Sequence, residues 1–135
     1  EQAHAQAIAK AIAYLEQEAF GGDKSLIIAS FQQGSSREGT NSIPDPLLHT
    51  HAIALPMVYE KASGRIESLY PYAKALYRHK MAAGAVYRAE FAAQLQQSLG
   101  ISLQREKSWF ELKGFSREEG VYQELMNHFS SRRLQ

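Results

Sequence analysis

Apolar residues follow two different spacings along this chain, and the change between them restricts the fold to a mixture of helices and strands. Over residues 2–19 they recur every three or four positions, as on one face of a helix. The same spacing runs through residues 71–99, a length that favours a break near Gly84. Short apolar or alternating runs separate these two predicted helices. This order of helices and strands predicts a layered α/β or α+β architecture.

The runs outside these two helices predict several short strands. A continuous apolar run at 24–31 fits a buried strand, residues 33–45 are polar and rich in Gly and Pro and predict a loop, and residues 48–59 alternate as a second strand. Pro56 predicts that this second strand lies at an edge or bulges near its end. Further strands are expected at 65–69, 101–106 and 109–113, and a capping box at Ser116 opens a last helix to about Arg133.

Composition excludes several classes of function. The chain has 135 residues, which favours a single domain, and its 15 Lys and Arg against 14 Asp and Glu leave a net charge of +1. A role in binding nucleic acid must therefore come from local clusters. Because there is no cysteine, disulfides, thiolate metal sites and a cysteine nucleophile are excluded. No apolar run approaches the ~20 residues of a membrane span.

His49-Thr50-His51 is the segment with the clearest chemistry. Residues two apart on a strand project from the same face, so both imidazoles can bind one metal ion. Two ordinary buried or surface histidines are the alternative interpretation. A third ligand is needed, and Gln33 or Asp45 can supply it, although Asp45 before Pro46 also fits a turn. The amide oxygen of Gln33 suits Mg²⁺ or Mn²⁺ better than Zn²⁺.

Two motifs follow each other along the chain: residues 31–37 read Phe-Gln-Gln-Gly-Ser-Ser-Arg and residues 45–51 read Asp-Pro-Leu-Leu-His-Thr-His. In this order they resemble the patterns Phe-x-His-x-x-Ser-Arg and Asp-Pro-x-Leu-His-Thr-His of conjugative relaxases of the TrwC/TraI type, which are DNA-nicking HUH endonucleases. Residues 75–90, 110–114 and 129–133 are similar to later family segments, so the resemblance covers nearly all of 1–135.

The resemblance implies an α+β fold in which an antiparallel sheet is flanked by helices. It also implies that the parent protein nicks one DNA strand at a plasmid transfer origin, in the bacterial cytoplasm, through a tyrosine that becomes bonded to the 5′ phosphate. A divalent metal, with Mg²⁺ or Mn²⁺ favoured and Zn²⁺ a second option, polarises the scissile phosphate. The metal ligands it implies are His49, His51 and Gln33.

The chain departs from the family pattern at important positions. The family's tyrosine lies near the N-terminus of the domain, and none of the seven tyrosines here matches it. We therefore assign no catalytic residue, expect the chain to be part of a domain that is incomplete at its N-terminus, and expect it to be inactive alone. Gln33 replaces the first metal histidine, the loop from Arg37 to Asp45 is longer than usual, and Pro56 replaces a common asparagine. A non-catalytic homologue that binds single-stranded DNA is thus the alternative, and a structural domain without a site is a third.

Four basic residues are candidates for contacts to single-stranded or hairpin DNA, namely Arg37, Arg78, Lys80 and Arg88. Tyr77 or Tyr87 is a candidate for base stacking. The bland interpretation is that the charges are solvated and the aromatic rings lie in the core. Arg78 and Lys80 are two apart on a helix and do not share a face. We also expect either a companion N-terminal segment or self-association through an exposed sheet edge.

Overall fold

The computed structural model describes residues 1–38, 44–106, 109–113 and 124, and it describes the side chains of 1–35, 47–105, 110–113 and 124. Apart from Glu124, which is helical, the last predicted helix, from Ser116 to Arg133, lies outside the described residues. The elements are the helices α1 (Gln2–Phe20) and α2 (Ala73–Leu99), a 3₁₀ turn (Tyr70–Tyr72), and the strands β1 (Lys24–Glu38), β2 (Pro44–Glu60), β3 (Ile66–Ser68), β4 (Leu103–Glu106) and β5 (Trp109–Leu112).

The strands form two sheets. One has the order β1-β2-β3, in which β2 and β3 run antiparallel with Tyr59 opposite Ile66 and Met57 opposite Ser68. The other is the antiparallel hairpin of β4 and β5. Together with the two helices they make the α+β fold that the family resemblance implied.

Both helices end at a glycine. Gly21 has φ 62° and its N–H donates to the carbonyl oxygen of Gln17. Gly100 has φ 63° and donates to the carbonyl oxygen of Gln96. A residue in the left-handed conformation just after a helix donates its N–H to one of the carbonyls in the last turn. Glycine adopts this conformation without strain.

The two helices pack along each other and, among the residues whose side chains are described, contain most of the buried ones. Ala7 of α1 is fully buried and Ala83 of α2 is 5% exposed, because small side chains allow the backbones to approach. His4, which is only 4% exposed, lies 2.7 Å through its Nδ1 from the hydroxyl of Tyr87. This makes His4 a buried residue of the interface between the two helices.

α2 is one continuous helix, so the predicted break near Gly84 is wrong. The helix runs through 27 residues without interruption. A single glycine costs roughly 1 kcal/mol relative to alanine inside a helix, and packing of the opposite face against α1 outweighs that cost.

The loop predicted over 33–45 is also wrong at both of its ends. β1 continues to Glu38, and β2 already begins at Pro44. Pairing between neighbouring strands satisfies backbone N–H and carbonyl groups whatever the polarity of the side chains, and here it outweighs the low strand propensity of Gly34 and its serine neighbours.

Of the two placements predicted from Pro56, an edge strand or a bulge near the end of the strand, the edge strand is wrong, because β2 has β1 on one side and β3 on the other. The carbonyl of Pro56 accepts a hydrogen bond from the N–H of Leu69, one residue beyond the end of β3. In a strand, the N–H and the carbonyl of one residue point to the same side. An N–H at this position would thus have faced Leu69, whose carbonyl oxygen accepts a hydrogen bond from the N–H of Tyr72 instead, so the proline does not leave that carbonyl unpaired.

The chain is organised as two compact units. One comprises Glu1–Ile28 and Ala54–Lys113, and the other comprises Ala29–Ile53 and Gly114–Gln135. A single domain over 1–135 stays a prediction. Within the described ranges, neither helix is long and apolar enough to cross a membrane.

Candidate metal and DNA-binding site

His49 and His51 lie on the same face of β2, as the two-residue spacing predicted. Their ring centroids are 5.0 Å apart and their planes are inclined at 73°. His49 is half-buried and His51 is exposed. The two imidazoles are therefore adjacent, differently oriented and open to a ligand from solvent.

A backbone contact determines which nitrogen of His49 is available. Its Nδ1 lies 2.9 Å from the carbonyl oxygen of Leu47. A carbonyl can only accept a hydrogen bond, so Nδ1 is the donor in this contact, and in the neutral imidazole the lone pair is then on Nε2. Metal-bound histidines commonly use this arrangement, in which one ring nitrogen is anchored and the other coordinates.

The spacing of the rings fits a shared metal ion. With metal–nitrogen distances of about 2.0–2.1 Å, two imidazoles on one tetrahedral ion have ring centroids roughly 5 Å apart. The observed 5.0 Å agrees with this separation. His49 and His51 could thus hold two positions of a divalent ion.

Gln33 is the remaining predicted ligand. It lies on β1, the strand hydrogen-bonded to β2, and its side chain is exposed. Across the part of the chain that the structure describes, no three His, Cys, Asp or Glu side chains are close enough to hold a metal. A third protein ligand from these residues must then be of another type, such as the amide of Gln33. The side chain of Asp45 lies outside the described residues.

The basic candidates occupy different places. Arg37 is in β1, but its side chain lies outside the described residues. Arg78 and Lys80 are exposed on α2, and the Nζ of Lys80 lies 3.8 Å from the centroid of the Tyr77 ring. Arg88 is half-buried, with its guanidinium 3.4 Å from the place that a Cβ on Gly84 would occupy.

The two tyrosine candidates for base stacking have opposite surroundings. Tyr77 is 71% exposed. Tyr87 is turned toward α1, where it contacts His4 and stacks on Phe91 with centroids 5.7 Å apart. Burial raises the pKa of the Tyr87 hydroxyl above its ordinary value. Tyr77 is therefore the tyrosine of this pair that a ligand can reach.

One exposed basic residue, Lys74, is absent from the candidates that sequence motifs provide. The signal that identifies it is helical spacing, because Lys74 lies three positions before Tyr77 and seven before Met81. Lys74 belongs to none of the sequence motifs, but its spacing places it on the same helix face as Tyr77 and Met81.

Comparison with known proteins places the chain in a family. The model of the TrwC relaxase family matches residues 1–135. This chain belongs to the TrwC relaxase family. Among curated proteins, no sequence matches it.

Several solved structures are similar to this chain. A metal-free structure of the conjugative relaxase TrwC with OriT DNA has a TM-score of 0.73 and 29% identity, over 99% of this chain and 46% of that one. TrwC with a 27-mer DNA comprising the recognition hairpin and the cleavage site has a TM-score of 0.73 and 28% identity, over 98% of this chain and 46% of the other. A metal-bound TrwC complex with OriT DNA has a TM-score of 0.72 and 28% identity, over 98% and 45%. The chain thus spans less than half the length of these relaxases.

Proposed function

We propose that this chain is part of a metal-dependent DNA relaxase that cleaves one strand at a plasmid transfer origin through a tyrosyl-DNA intermediate. The observation that carries the proposal is the His49–His51 pair, with centroids 5.0 Å apart and with Nδ1 of His49 anchored on Leu47. Membership of the relaxase family supports it, as do relatives in complex with OriT DNA. The particular origin DNA is not specified by these residues.

In this proposal His49, His51 and Gln33 hold a divalent ion. The bound ion supplies a Lewis acid that polarises the scissile phosphate. His49 and His51 donate imidazole nitrogens, and the hydrogen bond to Leu47 keeps the His49 ring oriented for this role. Gln33 offers a neutral oxygen, so Mg²⁺ or Mn²⁺ is favoured and Zn²⁺ is the second option.

The DNA partner is single-stranded or hairpin DNA, contacted through its phosphates. Arg78 and Lys80 are exposed, and Arg88 is half-buried on the same helix. Lys and Arg contacts to phosphate position a nucleic acid without reading its sequence. Arg37 belongs to this set on the strength of the relaxase motif alone. No residue of the chain is assigned as the tyrosine nucleophile, so cleavage by the chain alone is not part of the proposal.

Exposed apolar side chains on the sheet indicate protein partners as well. Tyr59 and Ile66 are opposite each other across β2 and β3, and they are 41% and 55% exposed. We propose that an N-terminal segment of the same domain covers apolar surface of this kind, and that the chain by itself self-associates through a sheet edge. The site of action we propose is the bacterial cytoplasm, where plasmid DNA is processed.

The second candidate is a non-catalytic homologue that binds single-stranded DNA. Gln33 favours it, because the family pattern has histidine where this chain has an amide. The absence of three clustered His, Cys, Asp or Glu side chains among the described residues favours it too. Metal affinity separates the two candidates.

Isothermal titration with Mn²⁺ and Mg²⁺ tests the metal site. We expect binding that His49→Ala removes and that His79→Ala, a matched change on α2, preserves. Gln33→His should strengthen binding of Mn²⁺ and Zn²⁺ by about tenfold or more, because it supplies a third imidazole. If the unchanged chain binds neither Mn²⁺ nor Mg²⁺, or if His49→Ala binds as well as the unchanged chain, the metal-dependent proposal is wrong.

A further inference from the structure

The strongest charge asymmetry of the chain lies along α2 and the turn before it. Residues 68–89 contain four Lys and Arg side chains and no Asp or Glu. The whole chain has 15 basic and 14 acidic side chains, and all 14 acidic ones lie outside this segment. A net charge of +1 conceals a local cluster of the kind that phosphates attract.

Four residues of this segment share the solvent-facing side of α2. Their spacings of three, four and seven place them on one helical face, which consists of Lys74, Tyr77, Met81 and Arg88. Tyr77 is 71% exposed and Met81 is 73% exposed, whereas Ala83 on the opposite face is 5% exposed against α1. Because packing on α1 holds the helix, the outer face is displayed on a rigid support.

The Tyr77 ring is oriented by a cation although it is exposed. The Nζ of Lys80 lies 3.8 Å from the ring centroid, a cation–π contact between residues three apart on the helix. One side of the ring therefore carries a positive charge and the other side is available for stacking. We call Lys74, Tyr77, Lys80, Met81 and Arg88 together the Tyr77 face.

We propose that the Tyr77 face binds a single strand of DNA, with one base stacked on the open side of Tyr77 and phosphates bound by Lys74, Lys80 and Arg88. Stacking on an exposed aromatic ring needs an unpaired base, and the flanking cations complement the backbone. The inference rests on the proposed function in taking DNA as the partner. To the phosphate contacts of Lys80 and Arg88 it adds stacking of a base on Tyr77 and a phosphate contact by Lys74, which are tolerant of sequence and need no metal.

Binding of a labelled oligothymidine of about 12 nucleotides in EDTA, followed by fluorescence anisotropy, tests this contact. We expect Tyr77→Ala to weaken binding about tenfold and Tyr77→Phe, which keeps the ring, to bind like the unchanged chain. Lys80→Gln should weaken binding and reduce the slope of log affinity against log salt by about 0.7. Lys10→Gln is the matched control, since Lys10 is exposed on α1 and the change in net charge is the same.

Three results would overturn the inference, provided that circular dichroism melts show folded variants. The first is unchanged affinity in Tyr77→Ala. The second is an equal effect of Lys80→Gln and Lys10→Gln, which would indicate bulk charge only. The third is a change of oligomeric state in Tyr77→Ala without a change in DNA affinity, which would make this face a protein interface. Because the assay contains EDTA, its failure is distinct from failure of the metal site, which the His49→Ala titration reports.

Discussion

The α1–α2 pair and the histidine strand differ in what their side chains are used for. Between the helices, Ala7 and Ala83 are buried and His4 bonds to Tyr87 within the chain. On β2, His51 is exposed and His49 contacts the protein through Nδ1 while Nε2 stays available. Histidine has a structural role in the first region, whereas in the second region we propose a role in binding a metal ion. The difference teaches that a histidine with an internal partner stabilises the fold, whereas one with an available nitrogen can bind a ligand.

The largest expected effect is on the helix pair, through Ala83→Leu. The added side chain has no space at a position that is 5% exposed, so we expect the free energy of unfolding to fall by about 1–3 kcal/mol. Ala85→Leu, on the exposed side of the same helix, should change it by less than about 0.5 kcal/mol. Urea unfolding measures both. Equal effects at the two positions would mean that α1 and α2 do not pack as described.

The next effect concerns the hydroxyl that joins the helices. Tyr87→Phe removes the hydrogen bond to His4 and should lower the free energy of unfolding by about 1 kcal/mol. Tyr77→Phe is the matched control on the same helix, and its hydroxyl is exposed, so little change is expected. If thermal melts cannot separate the two variants, the His4–Tyr87 bond contributes nothing measurable.

A smaller effect should appear at high pH. Burial raises the pKa of Tyr87 in the folded chain above its ordinary value near 10. The folded state thus holds this proton more tightly, so the contribution is intact below about pH 10 and is lost as pH rises through the raised pKa. Urea unfolding between pH 9 and 11 should show the gap between the unchanged chain and Tyr87→Phe narrowing. A gap that widens with pH would contradict the assignment.

The smallest effect on stability is expected for the histidine strand. His49→Ala should change the free energy of unfolding of the metal-free chain by less than about 0.5 kcal/mol, because the ring is only half-buried and its hydrogen bond is exposed. The same change should abolish any stabilisation by Mn²⁺, which acts only through binding to the folded state. A large loss of stability without metal would make His49 a structural residue like His4.

Much of the fold could be predicted from local signals. Apolar spacing identified α1 and α2, glycines stand at their ends at Gly21 and Gly100, and the strands predicted at 48–59 and 65–69 correspond to β2 and β3. The predictions failed at Gly84, at the loop over 33–45 and at Pro56. In each case a long-range partner, either α1 or a neighbouring strand, supplied the stabilisation that local propensity opposed.

The candidate site divides in the same way. Spacing alone predicted that His49 and His51 share a face, and the motifs in order indicated the relaxase family, to which the chain belongs. The roles of Gln33 and the basic residues stay predictions. Spacing could not show that Tyr77 is open while Tyr87 is enclosed, because both carry the same side chain on the same helix.

By itself, the sequence determined the helices, their glycine ends and the pairing of two histidines on one strand face. These depend on backbone geometry that repeats every 3.6 or every two residues. Only the tertiary structure decided that His4 is buried, that His49 is anchored through Nδ1, and that Tyr77 faces outward with Lys80 against its ring. Burial and hydrogen bonding depend on which residues distant in the chain come into contact, and no local pattern records that.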